Sequence, residues 1–211
     1  MTTLTSLELD ANDPVARYTL LSPQRIHAAV RGCFDGVVGE GKILWRLDRV
    51  KGKDGHHHMM VFLQGPGIPN NTISERLPST RPARSVDMDG TLLAHLEADQ
   101  TYRFNVVVCP TYVSDGKKHT HVADRFVEQW LRDRQDRLGL EFGDVRIADG
   151  PQPSGFAHHQ SNGTEGTVRF HAKRAYGTLR VTDPQLARSA LRDGVGPKAA
   201  YGCGLLTLIG M

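Results

Sequence analysis

The stretch Gly194-Val195-Gly196-Pro197-Lys198-Ala199-Ala200-Tyr201-Gly202-Cys203-Gly204-Leu205-Leu206-Thr207-Leu208 places a lysine among four glycines and then runs into an apolar segment. Upstream, Asp183-Pro184 opens a helix whose Leu186, Ala187, Ala190 and Leu191 recur at helical spacing until Gly194. Downstream, Leu205 to Ile209 reads as a strand that closes a sheet. The loop between them is therefore pinned at both ends. Glycine lacks a Cβ, so amide groups here can approach a bulky anion and adopt positive φ without strain. Two readings stand: a rigid cradle for a phosphate backbone, or a tight helix-to-strand connection. A Walker loop is excluded, because Lys198 is followed by alanines and a strand. A Rossmann turn is excluded by position, since it opens a helix after the first strand.

Working outward, the second half reads β-α-β-β-α-β. Tyr102 to Cys109 is a β-branched strand, and Val122 to Leu138 is an amphipathic helix ending at Gly139. Strands follow at Glu141 to Ile147 and Val168 to Val181, separated by a Gly-, Ser- and His-rich loop. The first half gives the same order. Thr2 to Leu9 is a strand, and Ser22-Pro23 starts a helix that ends at Gly36. Ile43 to Val50 and His58 to Gln64 form a hairpin across Lys51 to Gly55. Gly65 to Pro82 holds at most a short helix, and Ala83 to Met88 is a further strand. The expectation is an α+β fold of two tandem ferredoxin-like (RRM-like, βαββαβ) domains with antiparallel sheets. The first covers residues 1–92 and the second 98–211.

Apolar residues make up 39% of the 211 positions and charged residues 23%, an ordinary globular balance. The net charge of +3 is mild, so a nucleic-acid site must come from local clustering of charge. Cys33, Cys109 and Cys203 are widely spaced and odd in number, which argues against a disulfide framework and a thiolate zinc site. Met-Thr-Thr-Leu-Thr-Ser carries no secretory pattern, and no apolar run reaches membrane-spanning length. A cytoplasmic protein without a metal or cofactor is expected.

Two constellations carry chemistry. In the helix after Ser22, Gln24, His27 and Arg31 fall on one face. An imidazole beside a guanidinium suits phosphodiester cleavage: the arginine holds the anion and the histidine moves a proton near neutral pH. The plainer alternative is a histidine on a solvated helix face. Along Val168-Arg169-Phe170-His171-Ala172-Lys173, alternation puts Arg169, His171 and Lys173 on one side, with Arg174 adjacent. That row fits an RNA backbone or a solvated strand face. Lys117 and Lys118 are uncompensated cations in a loop. The arginines of the His121 to Leu138 helix are balanced by acids, the pattern of a salt-bridged surface. His56-His57-His58 and His158-His159 read as exposed loops, able to touch phosphates, and not as metal sites.

Taken together these residues resemble the CRISPR repeat-processing endoribonuclease CasE family of type I-E Cascade systems. The features that carry the resemblance are the Gly194 to Leu208 motif, Val181-Thr182-Asp183-Pro184, Leu44-Trp45-Arg46-Leu47, and Ser22-Pro23 with His27. It spans nearly the whole chain. The resemblance implies a metal-independent endoribonuclease that cleaves precursor CRISPR RNA at the 3′ base of the repeat stem-loop by 2′-hydroxyl attack. It further implies that the protein stays bound to the mature guide RNA as a Cascade subunit, and is a monomer when free. His27 matches the family's catalytic histidine, and the region around Arg169 to Arg174 matches its basic hairpin. Gln24, Arg31, Lys117, Lys118, Arg169, His171, Lys173, Arg174, Gly194, Gly196, Lys198 and Gly202 are the candidate RNA contacts.

Two departures stand out. Gln24 occupies a place where some relatives carry a catalytic tyrosine, leaving Tyr18, Lys42 or water as the second proton carrier. Lys198 lies one residue before the family's loop lysine. Two other functions stay open: a non-catalytic RNA-hairpin-binding subunit of the same complex, and a ferredoxin-like small-molecule enzyme or regulatory module.

Overall fold

A computed structural model describes residues 1–37, 41–52, 55–120, 123–150, 155–159 and 165–211. The first unit opens with strand β1 (Thr3–Glu8), whose alternate residues are buried. Two helices follow, α1 (Pro14–Leu20) and α2 (Pro23–Gly32). Strands β2 (Leu44–Lys51) and β3 (His57–Gly65), the short helix α3 (Ile73–Arg76) and strand β4 (Arg84–Asp87) complete it. All strand pairs are antiparallel, in the order β2-β3-β1-β4. Trp45 and Leu47 from β2 meet Ile26 and Val30 from α2 beneath this sheet. Each large side chain so buried stabilises the unit by about 1.5–3 kcal/mol.

The second unit begins with β5 (Thr101–Val108). A hairpin of β6 (Thr111–Ser114) and β7 (Lys117–Thr120) follows, then helices α4 (Asp124–Arg132) and α5 (Gln135–Leu138). Next come β8 (Leu140–Asp149), a second hairpin of β9 (Gly155–His159) and β10 (Glu165–Arg169), and β11 (Lys173–Val181). Helix α6 (Pro184–Asp193), a 3-10 turn at Ala199–Tyr201 and strand β12 (Thr207–Gly210) end the chain. The main sheet runs β12-β5-β11-β8. By position within the unit this is fourth-first-third-second, the order of the first sheet read from its other edge. Both units are therefore βαββαβ with inserted hairpins in the second. Met88, Leu93 and Leu96, from the connecting segment, are buried in the second core beside Trp130 and Leu191.

Several elements differ from the sequence reading. Helix α1 was absent from it, although Asp13 caps it by accepting from the amides of Val15 (2.7 Å) and Ala16 (3.1 Å), ahead of Pro14. The β6–β7 hairpin turns at Asp115 and Gly116, both at positive φ (51° and 71°), as a two-residue turn of this kind requires. The stretch Val168 to Val181 is not one strand. It breaks at 170–172, where buried Phe170 leaves the ladder to stack on Tyr201, ring centres 5.5 Å apart. The helix expected over 122–138 breaks after Arg132; Arg134 turns back to donate to the Trp130 carbonyl at 2.8 Å and cover its ring. Strand β3 begins one residue earlier than expected, taking His57 from the loop, and His58 Nδ1 meets Glu8 Oε1 of β1 at 2.6 Å. Among the described residues no helix is long and apolar enough to cross a membrane.

Candidate active site

Helix α2 presents the imidazole. Ser22 Oγ accepts from the Gln24 amide at 3.2 Å and Pro23 occupies the first helical position, so the helix starts where the sequence places it. Ile26 and Val30 anchor one side in the core. His27 sits at the edge of that contact, half-buried, with Arg31 exposed one turn further on. His27 Nδ1 is buried and has no hydrogen-bond partner among the described residues. Burial, followed by the Arg31 charge, lowers the His27 pKa from its usual 6.5. Both disfavour imidazolium, so the ring is mostly neutral at pH 7, the form a general base needs.

The 3-10 turn at Ala199–Tyr201 packs against α2 and also against β2. The glycine-rich loop of the second unit therefore lies beside the histidine helix of the first. Inside the loop many amides are already used. Gly194 donates to Ala190, Val195 to Gly204, Gly202 to Ala199 and Gly204 to Val107, at 2.9, 2.9, 3.1 and 2.7 Å. The amides of Gly196, Lys198, Ala199 and Ala200 have no acceptor among the described residues. The cradle is thus narrower than expected: Gly194 and Gly202 give their N–H groups to the fold. Gly196 also has a packing reason, since a Cβ there would stand 2.5 Å from Trp130 Cη2. Lys198 holds a left-handed backbone (φ 73°) with its ammonium 5.3 Å from the Tyr201 ring centre.

The cationic row expected on the Arg169 side is dispersed. Lys173 is buried and donates to Asp149 (2.8 Å) and Asp124 (3.1 Å), tying β11 to β8 and to the start of α4. The Asp149 bond is the main cause of its raised pKa. Arg174 is half-buried and donates to Asp48 Oδ1 (2.7 Å) and the Leu47 carbonyl (3.2 Å) of the first unit. Both guanidinium and ammonium are engaged by carboxylates inside the protein. His171 and Lys117 are exposed. The side chains of Lys118, Arg169, His158 and His159 lie outside the described residues, as does His121. Gln24 is half-buried; Tyr18 is exposed beneath the Arg25 guanidinium at 3.8 Å, and Lys42 pairs with Asp193 at 3.6 Å. Among the described residues no group of three or more His, Cys, Asp or Glu is placed to hold a metal.

Arg46 is a residue whose role the sequence did not disclose. It is 2% exposed, on the face of β2 opposite Trp45, and donates to Asp48, to the Asn105 and Leu205 carbonyls and to Thr207 Oγ1. The last two belong to the segment that leaves the glycine loop. Arg46 therefore locks the loop's exit against the sheet that supports α2. The signal available was an arginine inside the apolar run Leu44 to Leu47, with an aspartate two residues further on.

Two tandem ferredoxin-like units with a histidine helix set against a glycine-rich loop define the class to which this site belongs. The family described as CRISPR associated protein matches residues 3–209, and the chain belongs to it. It is 26% identical over 220 residues to the CRISPR-associated endoribonuclease Cse3 of Thermus thermophilus, covering 97% of this chain and 98% of the relative. The fold is similar to Thermus thermophilus Cse3 bound to an RNA representing a pre-cleavage complex (TM-score 0.77, 22% identity, 99% and 98% covered). It is also similar to a chain of a CRISPR RNA-guided surveillance complex, pre-nicking (TM-score 0.64, 19% identity, 99% and 100% covered).

Proposed function

We propose that this protein is an endoribonuclease that cleaves precursor CRISPR RNA at the 3′ base of the repeat stem-loop and stays with the guide RNA as a Cascade subunit. The observation that carries the reading is the neutral, half-buried His27 on a helix packed against the glycine loop. Membership of the CRISPR associated protein family and the likeness to an RNA-bound endoribonuclease support it. Likeness to a chain of the surveillance complex supports the assembly. The domains proposed are residues 1–92, with the histidine, and 98–211, with the loop.

In the proposed reaction His27 takes the proton from the ribose 2′-hydroxyl. That oxygen attacks the adjacent phosphorus, and the bond to the 5′-oxygen breaks. The products are a 2′,3′-cyclic phosphate and a 5′-hydroxyl, so no metal is required. Arg31, the open loop amides and Lys198 would hold the phosphate. Gln24 has no titratable proton, so the leaving oxygen is protonated by water or by His27 once charged. The stem is read through shape and phosphate contacts, with Lys117 and His171 as exposed cationic or protonatable candidates.

The test is a repeat hairpin incubated with wild-type and His27→Ala protein, with and without EDTA. Wild type should cut in both conditions, and His27→Ala should bind but not cut. Cutting by His27→Ala removes the assignment, and loss of wild-type activity in EDTA removes the metal-free mechanism. Gln24 also favours a second reading, a hairpin-binding subunit without activity. Tight binding by wild type without scission would establish that one instead.

A further inference from the structure

The open face of the second sheet carries a feature that cleavage does not use. Tyr176 is 38% exposed at the centre of this face, on β11. In the strand register Asn105 of β5 stands directly opposite it on one side and Arg146 of β8 on the other. A cleft of 560 Å³ opens here, lined by Arg49 of the first unit together with Asn105, Ala148, Asp149, Arg174 and Tyr176. Asp149 and Arg174 are already paired with Lys173 and Asp48. Arg49, Arg146 and Arg103, two residues before Asn105 on the same strand face, are exposed and form no ion pair among the described residues. Asn105 Oδ1 is buried and has no donor among them.

We infer that this cleft binds unpaired RNA flanking the hairpin: one base stacks on Tyr176 while Arg49, Arg103 and Arg146 hold the neighbouring phosphates. An exposed aromatic at the middle of an antiparallel sheet gives a platform for a base of any identity. Unpaired guanidiniums around it supply charge of the sign a phosphate chain needs, with no internal carboxylate to displace. Asn105 Oδ1 offers an acceptor to a base amino group. The cleft is walled partly by β2, so the first unit closes one side of it. This site rests on the proposed function only in the source of its RNA; the face itself is independent of His27.

The test measures affinity for three RNAs: the repeat hairpin alone, the hairpin with an unpaired flank of about eight nucleotides, and the unpaired segment alone. The flank should tighten binding by wild type about tenfold. Tyr176→Ala should abolish that gain, Tyr176→Phe should keep it, and Arg103→Glu should abolish it through a variant that leaves the ring in place. Binding of the hairpin alone, and its cleavage at saturation, should be unchanged in all three variants. Equal wild-type affinity with and without the flank, or a gain that survives both Tyr176→Ala and Arg103→Glu, overturns the inference. Failure of wild type to bind the hairpin alone counts against the proposed function. The unpaired segment then decides the cleft by itself: loss of its binding in Tyr176→Ala supports the site, and no binding by wild type overturns it.

Discussion

Arg46 and Asp48 lie two residues apart on one strand face and close a doubly bonded ion pair, Nε to Oδ1 at 3.0 Å and Nη2 to Oδ2 at 3.1 Å. Arg174 adds a second guanidinium on Asp48 from the other sheet. The remaining Arg46 nitrogen holds the Leu205 carbonyl and Thr207 hydroxyl, at 3.0 and 2.9 Å. A buried pair of this kind is weak evidence for net stability, because desolvation opposes it. Removing one partner is different. Arg46→Met leaves acceptors unpaired and Asp48 with one cation, and should cost about 3–5 kcal/mol in urea unfolding. Thr207→Val removes a single hydroxyl and should cost about 1 kcal/mol. Hairpin cleavage should fall in Arg46→Met below the melting transition, because the glycine loop loses its anchor. Equal stability of the two variants would show that the guanidinium does not hold the units together.

The pH dependence of cleavage follows from the direction of the His27 shift. Burial and then Arg31 both disfavour the charged ring, so the acid limb of the activity profile should have its midpoint below pH 6.5, the usual value. Arg31→Gln removes one of the two causes and should move the limb upward, toward 6.5. The folded protein resists a proton that the unfolded chain accepts, so this group's contribution to stability is complete above pH 6.5 and declines on acidification. His27→Gln should remove that decline. An acid limb above 6.5 in wild type contradicts the assignment of His27 as the base.

Much of the architecture was legible because helix starts are local chemistry. Ser22-Pro23 and Asp183-Pro184 mark the starts of α2 and α6, and Asp13-Pro14 carries the same signal for α1, whose seven residues are too few to show a helical period. Asp115-Gly116 likewise marks the β6–β7 turn. What could not be read was long-range pairing. Nothing near Lys173 in sequence shows that Asp124 and Asp149 fold onto it, and Arg174 meets its carboxylate 126 residues away. Alternation along Val168 to Lys173 suggested a cationic row, but Phe170 is drawn to Tyr201 and ends the ladder. His27 was legible as a candidate through its helix face; its buried Nδ1 and its position beside the loop needed the tertiary packing.

The fate of Lys173 separates structural from RNA-facing charge. Lys173→Ala should lower the thermal midpoint, since it abandons two carboxylate contacts at the junction of β11, β8 and α4. Its effect on the salt dependence of RNA binding should be small. Lys117, exposed on β7, should behave in the opposite way. Lys117→Ala should leave the midpoint unchanged and reduce the slope of log affinity against log salt by about 1. A reduced slope in Lys173→Ala would mean that the lysine leaves its aspartates when RNA binds.

Lys198 combines strain with charge, and two substitutions divide them. At φ 73° a side chain costs about 1 kcal/mol relative to the ordinary helical region, a cost that glycine escapes. Lys198→Gly should therefore unfold at the same temperature as wild type or higher, despite the loss of the contact with Tyr201. Lys198→Ala keeps the strain and should gain nothing. Both lose the charged donor proposed to hold a phosphate, an interaction worth about 1.5–3 kcal/mol, so hairpin affinity should fall about tenfold or more in each. A residue held in a costly conformation only for chain geometry would give stability gain without affinity loss in the glycine variant. Affinity unchanged in both variants would leave the open loop amides as the phosphate ligands and remove the ammonium from the site.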